Sequence, residues 1–112
     1  MPSHPLDLLR GCSPENLATV ADVLGDAINE GAPLYNRGDF AGCYTRYVAA
    51  ALEVEREMPT SCPGPTEALK TGRVNAKHLD HVSEQAWAMR DAFDGLLEVI
   101  ARHQEIGPGS GL

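Results

Sequence analysis

The chain has 112 residues, a size that fits one compact domain and leaves no room for two lobes with a substrate cleft between them. Hydrophobic residues make up 43% and charged residues 22%, ordinary values for a soluble domain, and no apolar run approaches the roughly 18 residues that a membrane span needs. Sixteen acids against nine scattered bases give a net charge of −7, which excludes nucleic acid as a partner because phosphate binding needs clustered Lys and Arg.

The opening residues Met1-Pro2-Ser3-His4-Pro5 carry no basic leader followed by an apolar run, so no secretory signal is expected. Three cysteines, Cys12, Cys43 and Cys62, lack any Cys-x-x-Cys pair and are too few for a secreted disulfide framework. A reducing cytoplasm is the expected location. On that premise a Cys43–Cys62 bond is disfavoured, Cys62-Pro63 reads as an incidental, exposed loop thiol, and Cys43 reads as a small packing residue.

A first helix starts at Ser13 as N-cap with Pro14 at the first helical position and Glu15 in the first turn. Leu17, Val20, Ala21, Leu24, Ile28, Gly31 and Tyr35 line one side of it. Pro33 projects about 180° from that stripe, so a helix continuing to Asn36 carries its kink on the solvent side. Asp39 caps a second helix with the stripe Phe40, Cys43, Tyr44, Tyr47, Ala51, Val54 and Met58, ending before Pro59. A third segment runs to about Gln104, its strongest part from Leu79 through Val82, Ala86, Met89, Phe93, Leu96 and Leu97 to Ile100. Upstream, Thr66 is a candidate cap for a turn from Glu67 to Lys70, with a break expected near Asn75. No run alternates with period two. The expectation is all-α: a small antiparallel bundle of three long helices, closed by a short fourth element from residues 5–11 or 66–74. Residues 1–106 form the single domain, and the Gly-rich 107–112 a flexible tail.

The stretch Gly31 to Ala50 resembles one tetratricopeptide (TPR) repeat: small Gly31 on the first helix, Gly38-Asp39-Phe40 at the turn, then small Cys43, aromatic Tyr47 and small Ala50 on the second. There is one unit, not the three or more of a solenoid, and Ala27 stands near the place of the large apolar residue expected early in the first helix. The resemblance implies a helix-turn-helix interaction unit, here closed by the long C-terminal helix. The element Gly-Ala-Pro-Leu-Tyr-Asn-x-Gly-Asp followed by Cys-Tyr is also similar to one in small bacterial proteins, a likeness that implies no particular activity.

His78 and His81 stand at i and i+3, with Cys43, Cys62 or His103 as conceivable further ligands. On a continuous helix His78 leans to the core edge and His81 to solvent, so no metal site is expected. Glu53, Glu55 and Glu57 alternate, and alternate helical residues point about 200° apart, so they read as a solvated face and not an acid/base pair. Phosphate-binding and nucleophile-elbow glycine patterns are absent, and no catalytic constellation or cofactor is expected.

Trp87, the only tryptophan, projects about 125° from the centre of its helix's core stripe, among Asp80, Glu84, Asp91 and Asp94. Either residues 66–74 or Leu6, Leu8 and Leu9 fold over it, or it is a binding hot spot. The expected function is a non-catalytic protein-interaction or adaptor module, with a protein partner or a second copy meeting Trp87, Leu52, Glu84 and Asp91. The alternative is a bundle that holds a small ligand or metal near Cys43, Tyr44, Tyr47 and His78.

Overall fold

The computed structural model describes residues 5–106, so the expected tail at 107–112 lies outside the described residues. Among these, the chain is entirely helical and has no strand: a 3-10 helix at Pro5–Leu9, then α1 (Pro14–Asn36), α2 (Phe40–Glu57), α3 (Pro63–Lys77) and α4 (Val82–Ile106). Each α-helix packs on its neighbour in sequence, α4 returns to touch both α1 and α2, and the 3-10 helix packs on α3 and α4. The result is a helical bundle.

Local chemistry accounts for the ends of α1 and α2. Ser13 Oγ accepts from Asn16 N at 3.0 Å while Asn16 Oδ1 accepts from Ser13 N at 3.0 Å, a reciprocal cap with Pro14 following it. Pro33 sits inside α1 on its exposed side, as its phase requires. The helix stops at Gly38, whose φ of +85° suits a glycine, with Gly38 N donating to Tyr35 O and Asp39 N to Leu34 O, both at 2.9 Å. Asp39 Oδ1 then accepts from Gly42 N at 2.9 Å and caps α2. The core between the helices holds Leu17 and Leu24 of α1, Tyr47 and Val54 of α2, Leu69 of α3, and Met89, Phe93 and Ile100 of α4. At its centre the Tyr47 and Phe93 rings lie 5.2 Å apart, a tilted aromatic pair.

The structure corrects the sequence reading in the third segment. It holds two helices, and α3, at 15 residues, is not a short closing element. Cys62 occupies the N-cap position and Pro63 and Pro65 stand in the first turn, so Thr66 lies inside the helix and does not cap it. Leu69 belongs to α3, where it is fully buried with Pro65 and Ala76. The break falls at 78–81 instead of near Asn75, where His78 N and Leu79 N tighten onto Asn75 O and Ala76 O at 3.1 Å each. Leu79 therefore leaves the core stripe and is 40% exposed. Both segments offered as alternatives for the fourth element, 5–11 and 66–74, contain packed helix, as Pro5–Leu9 and within Pro63–Lys77.

Two further corrections concern side chains. Glu55 is not simply solvated: it receives Arg73 Nε and Nη2 at 3.1 and 2.9 Å, a bidentate, half-buried tie from α2 to α3. Cys62 is neither exposed nor incidental. It is fully buried and bonded to Cys12, leaving Cys43 as the free thiol. The pairing is Cys12 with Cys62, not the Cys43–Cys62 bond weighed from the sequence.

Candidate functional site

One end of the bundle carries a small open pocket of about 180 Å³. Its walls come from three helices. The last turns of α1 contribute Ala32, Tyr35 and Asn36, the first half of α2 contributes Cys43 and Tyr47, and the start of α4 contributes Ala86, Trp87 and Arg90.

Small residues make the approach of α1 and α2 possible here. A Cβ on Gly31 would overlap Tyr47 Cε1, so the bare backbone of α1 rests directly on the phenol ring of α2. The rim is aromatic: Tyr35 packs on Phe40 with centroids 4.6 Å apart and meets Trp87 edge to face at 5.7 Å. Tyr35 is thus the residue that touches the indole. The 3-10 helix packs instead on α3 and α4, and Leu8 and Leu9 do not cover Trp87, which remains 51% exposed. Leu6, the third residue expected to do so, has a side chain outside the described ones.

Cys43, Tyr47 and Arg90 bring polar groups to a mostly apolar lining. Burial pushes the Cys43 thiol above its ordinary value, although the Tyr47 phenol and the Arg90 charge act to lower it. Tyr47 is raised as well, by burial and then by its hydrogen bond with Cys43. Burial works against the Arg90 charge, but hydrogen bonds with Asp94 and Tyr47 outweigh it and hold the guanidinium above its ordinary value. The Arg90 Nε to Asp94 Oδ1 distance is 3.1 Å. A thiol shifted this way stays protonated at neutral pH, whereas thiolate nucleophiles need the opposite shift.

The structure brings together residues that the sequence reading had divided between two sites. Trp87 came from the partner-binding set and Cys43 and Tyr47 from the ligand set; all three line this pocket. Glu84 and Asp91 flank Trp87 on the exposed side of α4, one turn to either side. Others stand elsewhere. Leu52 is 42% exposed but nine residues from Cys43, about half a turn around α2. Tyr44 lies toward Arg73 and α3. His78 is the exposed C-cap of α3 and His81 lies in the following connection, so the projection of the pair on one continuous helix does not apply. Among the described residues no group of three His, Cys, Asp or Glu side chains could hold a metal ion.

Sequence reasoning missed Ala32, Asn36, Ala86 and Arg90 as pocket residues and had Tyr35 only as part of a stripe. The available signal was the coincidence of a helix-terminal Tyr with an off-stripe Trp, but the rotation between helices is needed to unite them.

No helix of the described residues is long and apolar enough to cross a membrane. Comparison with protein-family models, with curated proteins and with solved structures finds no match to this chain.

Proposed function

We propose that the protein is a non-catalytic interaction module whose pocket receives one uncharged anchor side chain from a cationic segment of a partner. The observation that carries this reading is Trp87: a half-exposed indole held edge-on by Tyr35 at the mouth of a hollow of about 180 Å³. That volume falls below the ~300–1,000 Å³ of pockets that engulf whole drug-sized ligands, and favours a single side chain over a free small molecule. Tryptophan is among the residues enriched at binding hot spots, where a partner completes its desolvation. Exposed Glu84 and Asp91 beside it, on a chain of net charge −7, favour Lys and Arg flanking the anchor and disfavour a second copy of the same acidic chain.

The seating of Gly31 on Tyr47 supports the resemblance of the α1–α2 hairpin to a TPR unit, since in such hairpins a small residue admits the aromatic of the facing helix. The Cys12–Cys62 bond favours an oxidising compartment over the cytoplasm.

A peptide of alternating Lys and Gly with one central Leu tests the reading, with Trp87 fluorescence as the readout because no other tryptophan contributes. Saturable binding that weakens with salt and is lost when the central Leu is replaced by Ala is expected. An equal response to the Ala peptide, or none at millimolar concentration, would remove the anchor reading; saturable quenching by small aromatic molecules alone would favour the ligand-binding alternative.

A further inference from the structure

We propose that the Cys12–Cys62 disulfide is a thiol-exchange site, opened from the Cys12 side by a small thiol, and that its opening releases the N-terminal 3-10 helix.

Access makes the bond asymmetric. Cys62 is fully buried, with Met58 Sδ 3.9 Å from its sulfur, whereas Cys12 is only partly buried. Gly11, Ser61 and Pro63, the chain neighbours of the two cysteines, line an open cleft of about 540 Å³. Of the two cysteines, the partly exposed Cys12 is the one an incoming thiolate meets first.

In the first step the incoming thiolate forms a bond to Cys12 Sγ, the Cys12–Cys62 bond breaks, and its electron pair leaves on Cys62 as thiolate. In the second, another thiolate attacks the small-molecule sulfur of the mixed disulfide and frees Cys12. Two thiols are oxidised to one small disulfide and the protein gains two electrons.

The consequence follows from how little else holds the 3-10 helix. Its backbone lies so close to α3 that a Cβ on Gly64 would overlap Leu8 O, and one on Gly11 would overlap Ser61 O. Such contact needs the chain held in place, and among the described side chains of this element Leu9 is buried in the core and Leu8 packs partly against it. Without the covalent tie, these two side chains are left to hold it.

Exposure of the intact chain to reduced glutathione, followed by acid quenching and peptide mapping by mass spectrometry, tests the site. Mixed disulfide on Cys12 is expected in at least tenfold excess over that on Cys62. After full reduction, amide exchange at residues 8–12 should accelerate at least tenfold while Trp87 emission stays unchanged. Equal or preferential labelling of Cys62 would overturn the proposal. So would no exchange in the time the urea-unfolded chain reacts completely, or unaltered amide protection after reduction.

Discussion

The two ends of α1 are built on opposite principles. At its N-terminal end a disulfide joins residues 50 apart, and Gly11 and Gly64 bring backbone onto backbone so closely that neither has room for a Cβ, with an open cleft beside them. At its C-terminal end, about 34 Å away for a helix of 23 residues, packing stops short, leaving a hollow and an indole half in water. The closed end is tied by backbone contact and a covalent bond, whereas at the open end the half-exposed Trp87 beside the hollow is the feature on which the proposed interaction reading rests.

The contrast breaks most sharply at the centre, which both ends share. Phe93→Ala should lower unfolding stability by about 3–5 kcal/mol in urea titrations, because the fully buried ring leaves a cavity against Tyr47. A loss below about 1 kcal/mol would mean that α4 is rotated from its described phase. At the closed end, replacing Cys12 and Cys62 together by Ala should cost about 2–4 kcal/mol, the range for a long closed loop. Gly64→Ala, which forces a methyl group into Leu8 O, should cost about 1–3 kcal/mol by the same measurement. Calorimetry that found Gly64→Ala neutral would show that the 3-10 helix is already loose.

The open end has a pH signature. Cys43 and Tyr47 hold their protons more tightly folded than unfolded, so their contribution to stability is complete below their ordinary values of 9.0 and 10.0 and declines as pH rises past them. Unfolding midpoints measured from pH 7 to 10.5 should fall from about pH 9 upward, and Cys43→Ala should delay the onset. A flat profile would place the thiol in water.

Much of the fold was legible because α1 and α2 carry their own punctuation: Ser13-Pro14, Gly38 and Asp39 act within a few residues of themselves. The start of α3 was not, since its cap position holds a cysteine engaged elsewhere, and the α4 stripe extended one step too far to Leu79 because periodicity does not register a tightened connection. The cysteine pairing and the pocket share a different obstacle. Cys12 with Cys62, and Tyr35 with Trp87, meet only through the way the helices pack, which no local pattern encodes.

The most direct test of the open end is Trp87→Ala, examined for both stability and binding of the Lys-rich, Leu-centred peptide, with affinity measured by calorimetry because the variant has no tryptophan. The account predicts a stability loss below about 1 kcal/mol and a loss of affinity of about 2 kcal/mol or more. A stability loss of about 3–5 kcal/mol with affinity unchanged would instead make Trp87 a core residue, and the pocket would no longer be a binding surface.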